Sequence, residues 1–292
     1  MNKLKKFLVL VFIIIPLLII ALVFLYRNYI NRPAPTPKII YKPEDTIKIL
    51  EGWNSREIDQ YFFSQGRFNN EEFLSAVGFP RLDYREDKDK PALKDWSEQF
   101  SFLSDKPKYY GLEGYLFPDT YRIYSTSSVE EVIVKLLDNF DKKLTPEMRA
   151  EIKAQGKTIY EIVTMASIIE KEAPFNYQTN DDSDARLISG IFWRRLKAGQ
   201  ALQSDATLSY IFGDKNPQHS GEELEIDSPY NTYKYRDLPP GPICNPGLWA
   251  IKAAIYPTVS SYNYFLTPLD GQKVYYARTY DEHLKNKYKY LK

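Results

Sequence analysis

The stretch Ile159-Tyr-Glu-Ile-Val-Thr-Met-Ala-Ser-Ile-Ile-Glu-Lys-Glu-Ala173 decides how this chain folds and where its chemistry sits. At about 100° per residue, Ile159, Ile162, Val163, Ala166, Ile169 and Ala173 gather on one face, and Met165 and Ile168 widen it. Tyr160, Thr164, Ser167 and Lys171 take the remaining arc. The pattern predicts a buried helix, ended where Pro174 biases Ala173 away from helical geometry. Glu170 falls inside the apolar sector and Glu172 beside Met165 and Ile168. A carboxylate is expensive to take out of water. Both lie in the last turn, where the helix dipole disfavours ionisation, and apolar neighbours push the same way. A carboxyl that keeps its proton near neutral pH is what a general acid requires. One such glutamate reads as a structural ion pair with Arg or Lys; two in one turn favour a functional site.

The two carboxyls are not a pair. Residues two apart on a helix stand around 160° apart on the wheel and do not face each other. They do not flank one sugar bond in the way of paired-carboxylate glycosidases, whose carboxyls are about 5–5.5 Å or 6.5–9.5 Å apart. One glutamate enters a cleft and the other anchors the helix, and spacing alone does not rank them.

Outward from this helix, the N-terminus reads as a membrane anchor. Residues Phe7 to Tyr26 carry no charge, and this apolar run is long enough to cross a hydrocarbon layer of about 30 Å. No A-x-A cleavage site follows, so the expectation is an uncleaved single span over 7–26 with Pro16 inside it. Lys3, Lys5 and Lys6 favour a cytoplasmic N-terminus over residues 1–6, which puts the body outside the cytoplasm. A net charge of +1 gives no basic face for nucleic acid. Cys244 stands alone, His219 and His283 lie far apart, and no phosphate loop appears, so no disulfide, zinc site or other cofactor is expected. Most of the 24 Tyr, 16 Phe and 4 Trp belong to the core, but a Tyr-rich chain can also stack against sugar rings and hydrogen-bond their hydroxyls.

The remaining chain reads as α+β and helix-rich. A linker over 27–45 includes the stiff run Arg32-Pro-Ala-Pro-Thr-Pro-Lys38. A small α/β module over 46–106 follows, with a strand at Thr46–Leu50, a helix capped by Asn54 and Glu57 that stops at Gly66, and a helix from Asn69 or Asn70. Arg81 to Lys90 is a solvated, charge-dense connection. The body over 107–292 opens at Leu112-Glu-Gly-Tyr-Leu-Phe-Pro-Asp-Thr-Tyr-Arg122. Helices are expected at Val129–Leu144, Pro146–Gln155, Asp184–Ala198 capped by Ser183, from Ser204 to Gly213, and from Asn245-Pro246 through Trp249 to Ile255. Tyr262–Leu266 and Lys273–Ala277 flank Asp270-Gly271 as a hairpin, and Thr279-Tyr-Asp-Glu282 caps a last helix. Rigid loops at Asp227–Tyr233 and Leu238–Gly247 carry polar and aromatic groups of the kind that line clefts.

Six motifs then occur in a fixed order: Leu112–Tyr121, Met165-Ala-Ser-Ile-Ile-Glu-Lys-Glu172, Gly190-Ile-Phe-Trp-Arg-Arg-Leu196, Leu202-Gln-Ser-Asp-Ala-Thr207, Pro229-Tyr-Asn-Thr-Tyr233 and Leu238-Pro-Pro-Gly-Pro-Ile-Cys-Asn-Pro-Gly247. Together they resemble the MltG (YceG-like) family of endolytic murein transglycosylases, over roughly residues 46–292 and most densely from Leu112 onward. The resemblance implies an inner-membrane, single-pass lytic transglycosylase that cleaves nascent peptidoglycan between N-acetylmuramic acid and N-acetylglucosamine. It leaves 1,6-anhydro ends and terminates strand elongation. The sugar's own 6-hydroxyl attacks, so one carboxyl suffices, and motif position assigns that role to Glu172, with Glu170 in support. By the same carry-over Glu113, Gln203, Asp205, Tyr230, Asn231 and Tyr233 are cleft or supporting residues. No metal is implied; peptidoglycan glycan strands, membrane lipid and peptidoglycan synthases are the implied partners. Residues 46–106 resemble a shortened LysM-like region, and 107–292 the YceG-like catalytic domain. The turn glycine is followed by Gln272 where many members have His, whereas His283 matches a family histidine. Two readings compete: a non-catalytic glycan-binding or scaffold subunit of the wall-synthesis machinery, and a membrane-anchored structural protein with ion-paired glutamates.

Overall fold

The computed structural model describes residues 3–32, 43–87, 89, 90, 92–214, 216, 219–268 and 273–291. The proline-rich run after Arg32 and the Asp270-Gly271 turn lie outside the described residues. Two compact units are present, Met1–Lys42 and Pro43–Lys292.

The first unit is helical. Helix α1 (Lys3–Val9) passes through a π-helical turn, Leu10–Ile14, into α2 (Ile15–Ile30). Pro16 at the start of α2 has no N–H to donate backward, and the widened turn before it accommodates that gap. Lys5–Ile30 is long and apolar enough to cross a membrane. That fits an anchor or a signal segment.

The second unit is α+β. Strand β1 (Glu44–Lys48) pairs antiparallel with β2 (Thr120–Tyr124), Ile47 opposite Tyr121 and Asp45 opposite Ile123. The expected strand at 46–50 therefore lies two residues earlier, although Ile49 N still donates to Asp119 O at 3.0 Å. This pairing joins the stretch before residue 106 to the stretch after it, and their apolar side chains share one core. Helix α3 (Ser55–Ser64) carries the expected Asn54–Glu57 capping box. Helix α4 (Glu72–Val77) starts later than expected, after Glu71 in a left-handed conformation (φ 59°). Asn69 instead bonds the Glu72 carboxylate through its N–H and its side chain, at 2.9 Å each.

Helices α5 (Val129–Lys143), α6 (Pro146–Ala154) and α7 (Ile159–Glu172) follow, capped by Ser128, Thr145 and Thr158. Ala173 leaves α7 in extended geometry, as the X-Pro restriction requires. Ile162 to Ile169 of α7 are all buried, so this helix forms the centre of the core. It packs on α10 (Leu248–Ile255), whose Ala250, Ala253 and Ala254 permit close approach, and on α6, α8 (Ser183–Lys197) and α9 (Asp205–Phe212). Burying each large apolar side chain of this seam stabilises by about 1.5–3 kcal/mol. Gly114, at φ +90°, lets the opening stretch lie against this seam: a Cβ there would stand 2.7 Å from Val163 and 2.6 Å from Pro242. Strands β3 (Tyr264–Leu266) and β4 (Tyr275–Ala277) form the C-terminal pair, and α11 (Tyr280–Tyr290) has the Thr279–Glu282 capping box.

Three expected caps are corrected. Asp182, not Ser183, occupies the cap position of α8, and its carboxylate binds Arg186 Nε at 3.1 Å. Asn245 does not cap α10, which begins after Gly247; its Oδ1 accepts from Gly114 N and Leu116 N at 2.9 Å each. Ser204 holds the cap position of α9 but makes no capping bond. In the last two cases a tertiary partner takes the side chain that local sequence rules assign to the helix end.

Candidate active site

The last turn of α7 sends its two carboxyls to different partners. Glu172 Oε1 accepts from the Ser204 hydroxyl at 2.5 Å and, more weakly, from Ala206 N at 3.5 Å. Glu170 Oε2 accepts from Gly247 N at 2.9 Å, at the entry of α10. Both side chains are half-buried, unlike the wholly buried turn before them.

The Glu172 side is assembled from three motif segments. Thr232 fastens the 229–233 loop to the entry of α9. Its carbonyl accepts from Gln203 N at 3.0 Å, and its hydroxyl accepts from Ser204 N at 3.1 Å and bonds the Thr207 hydroxyl at 2.9 Å. Tyr233 is thereby brought over α9, and its Oη donates to Asp205 Oδ1 at 2.7 Å. Gln203 takes φ +52°, a left-handed conformation unfavourable for a residue with a Cβ, and its side chain is exposed. From α8, Arg195 is held by the Leu202 and Asn263 carbonyls and lies over the Tyr264 ring, 5.9 Å from its centroid.

These surroundings set the proton affinity of Glu172. Burial is the largest influence and raises it; the Ser204 hydroxyl lowers it, the negative Asp205 raises it, and Ala206 N and the Arg195 charge lower it. The balance lies above the usual carboxyl range. Burial likewise raises Glu170, to about 8, reinforced by Glu51 and opposed by Gly247 N and Lys171. Arg195 responds in the other direction, its affinity lowered by burial.

Other sequence-selected residues sit elsewhere. Glu113 is only 8% exposed and accepts from Ser55 N, Ser55 Oγ and Asn245 Nδ2, tying the opening stretch to α3. Burial pushes its carboxyl up to about 7 against those hydrogen bonds. Asn231 is wholly buried, donating to the Leu224 and Ile226 carbonyls and accepting from Tyr233 N. Tyr230 is buried against Tyr210 and lines a cavity of about 570 Å³ with Arg81, Tyr110 and the carboxylates of Asp83, Glu86, Asp87 and Asp89. Glu172 does not line that cavity. The structure thus brings together Glu172, Asp205 and Tyr233, with the Gln203 backbone beside them. It gives Glu113, Tyr230 and Asn231 different partners.

Sequence reasoning passed over Ser204 as a partner of Glu172, and over Arg195 and Thr232. All three lie inside quoted motifs, so position marked them; only tertiary geometry reveals what their polar atoms meet. Among the described residues no group of three or more His, Cys, Asp or Glu could hold a metal ion. The chemistry available here is proton transfer by one half-buried carboxyl, with an adjacent carboxylate, a phenol and a guanidinium to tune it.

Known proteins are similar to this chain in sequence, and a solved structure in fold. The endolytic murein transglycosylase of Bacillus subtilis (strain 168) is 38% identical over 180 residues, covering 62% of this chain and 48% of that protein. The protein of the same name from Streptococcus pneumoniae serotype 2 is 35% identical over 249 residues, covering 82% of this chain and 44% of that protein. The chain thus spans less than half the length of these relatives. A crystal structure of a yceG-like protein from Listeria monocytogenes superposes with a TM-score of 0.69 at 32% identity, covering 84% of this chain and 76% of that one. The model of the YceG-like family matches residues 32–289, and the chain belongs to that family.

Proposed function

We propose that this chain is a membrane-anchored endolytic transglycosylase of peptidoglycan, with Glu172 as its single acid/base. The carrying observation is the Glu172 carboxyl, half-buried at the end of α7, its proton affinity raised and its Oε1 fixed by the Ser204 hydroxyl. The names of the relatives supply the substrate class.

In this reading Glu172 starts neutral and gives its proton to the glycosidic oxygen between N-acetylmuramic acid and N-acetylglucosamine. The C1–O bond breaks and the N-acetylglucosamine side leaves as an alcohol. The muramyl 6-hydroxyl oxygen bonds to C1, and its proton returns to Glu172. Atoms balance without added water, the product end is 1,6-anhydro, and no second carboxyl is needed as nucleophile. Burial, with a smaller push from Asp205 held by Tyr233, keeps the proton on Glu172 before reaction; Ser204 and Arg195 favour the carboxylate formed midway.

Residues 7–26, within the apolar helix Lys5–Ile30, would anchor the chain with Lys3, Lys5 and Lys6 on the cytoplasmic side, placing the body where nascent strands emerge. Residues 46–106 would act as a reduced LysM-like module and 107–292 as the catalytic part.

The test is product analysis of the full chain in detergent with uncrosslinked glycan strands. Anhydro-ended fragments are expected, and Glu172→Gln should lower their rate of formation by about 10²–10⁴-fold. Ends carrying an added water would mean a hydrolase. Glycan binding without turnover, unchanged in Glu172→Gln, would mean a scaffold.

A further inference from the structure

Helix geometry puts the Cα atoms of Glu170 and Glu172 only about 5.4 Å apart, yet the groups around Glu170 are of another kind. Glu51 lies on that side, its Oε2 accepting from Tyr177 Oη at 2.8 Å and from Trp249 Nε1 at 3.2 Å. Gly247 makes room for it, since a Cβ there would fall 2.1 Å from Glu51 Oε1. Phe175 stacks on Trp249 with centroids 4.9 Å apart and planes 9° from parallel, and meets Tyr177 edge-on at 4.8 Å. Tyr177 is nevertheless 69% exposed.

Two observations argue that this cluster is a platform. Fixing an exposed tyrosine costs side-chain entropy and gains little burial, so its fixed orientation needs a use outside the core. The loop beneath it is also shaped. Asn176 Oδ1 accepts from Gln178 N and Thr179 N, Asn176 bridges to Asp181, and Asn180 takes the left-handed conformation that asparagine tolerates. Phe175 and Tyr177 follow directly from the turn that carries Glu172.

We propose that Phe175 and Tyr177, backed by the buried Trp249 and with the Glu51 carboxyl beside them, form a saccharide subsite that holds one pyranose of the glycan strand on the Glu170 side of the end of α7. Aromatic rings offer apolar surface to the C–H face of a pyranose, while the phenol and carboxyl meet its hydroxyls and acetamido N–H. An enzyme that cuts inside a strand has sugars to hold on both sides of the broken bond. The Glu170 side of α7 supplies surface for one of them. The proposal rests on the transglycosylase reading for its substrate class.

The test uses the full chain in detergent with Glu172→Gln throughout, so that ligand is not consumed, and a peptide-free octasaccharide of alternating N-acetylglucosamine and N-acetylmuramic acid. Tyr177→Ala and Phe175→Ala should each weaken binding roughly tenfold, and Tyr177→Trp should restore most of it. Tyr177 is exposed, so its substitution leaves the core intact, which an unchanged melting curve verifies. Unaltered affinity in both alanine variants overturns the subsite, whatever products the wild type makes. Weakened binding in Tyr177→Ala, beside a wild type that forms no anhydro ends, keeps the subsite and removes the transglycosylase reading.

Discussion

Ser204 donates its hydroxyl to Glu172 at 2.5 Å, and α9 begins without a side-chain cap as a result. A serine at that position ordinarily bonds an N–H of the first turn and stabilises the helix by about 1 kcal/mol. Here the hydroxyl serves the carboxyl instead, and Thr207, whose hydroxyl reaches the Ser204 carbonyl at 2.8 Å, helps fasten the helix entry. The exchange couples the proton affinity of Glu172 to the backbone of α9.

That coupling predicts the effect of Ser204→Ala. The hydrogen bond lowers the proton affinity of Glu172, so its loss moves that affinity further up. In a pH–rate profile of kcat/KM, the alkaline limb assigned to Glu172 should shift to higher pH while the rate near neutrality falls about tenfold or more. Stability should fall by about 1–3 kcal/mol through the lost bond to the carboxyl, not through a lost cap. Ser204→Thr should recover the wild-type limb. An unshifted limb in Ser204→Ala would separate the rate-determining carboxyl from Glu172.

Arg195 gives a second, independent handle on the same group. Its charge favours the carboxylate form of Glu172, so Arg195→Gln should also raise the alkaline limb, whereas Arg195→Lys should keep the sign of the charge and most of the wild-type position. The guanidinium also ties α8 to the Leu202 and Asn263 carbonyls, so both variants should lose stability, by about 1–3 kcal/mol. Only the pH profile distinguishes them. Equal limbs in Gln and Lys variants would reduce Arg195 to a structural tie.

How far the sequence carried can be judged on single residues. The helical period fixed α7 and the opposed directions of Glu170 and Glu172, because a run of apolar residues at that spacing has one way to bury itself. Pro174 ended the helix for a steric reason that needs no tertiary context. The capping boxes at Asn54–Glu57 and Thr279–Glu282 were legible because both members lie within one turn. Ser204 and Asn245 were misread for the opposite reason. Each has the chemistry of a cap, but its partners lie far along the chain, at Glu172 and at Gly114 and Leu116, and local rules do not reach them. Glu113 and Asn231 show the limit of motif order, which marks a position without saying whether its polar atoms face a ligand or a backbone.

Asn245 supplies the largest stability effect expected from one side chain. Its Oδ1 accepts from Gly114 N and Leu116 N, and its Nδ2 donates to Trp53 O and to Glu113, all at 2.9–3.0 Å in the interior. Asn245→Ala leaves those groups unsatisfied and should cost about 3–5 kcal/mol, read as a lower urea midpoint with an unchanged m-value. Asn245→Asp should not rescue it, since a carboxylate cannot donate to Trp53 O and would stand against the Glu113 carboxyl. Retention of wild-type stability in either variant would show that this junction is not what joins α3, the opening stretch and α10.

Glu170 yields the clearest dependence of stability on pH. Its carboxyl is raised in the folded chain from 4.5 to about 8, chiefly by burial, so the folded state binds the proton more tightly than the unfolded state does. The sign follows from linkage: this contribution is fully present below pH 4.5 and is lost progressively as pH rises toward 8. Glu170→Gln keeps an oxygen to accept from Gly247 N and has no charge to bury. At pH 5 it should match the wild type closely. At pH 9 it should be the more stable protein, by about 1–3 kcal/mol once solvent contact with the half-buried carboxyl is allowed for. Urea denaturation of the two chains across that range measures the crossover directly. Parallel stability curves would mean that the Glu170 carboxyl titrates in the folded chain as it does in the unfolded one, and that the last turn of α7 leaves it in contact with water.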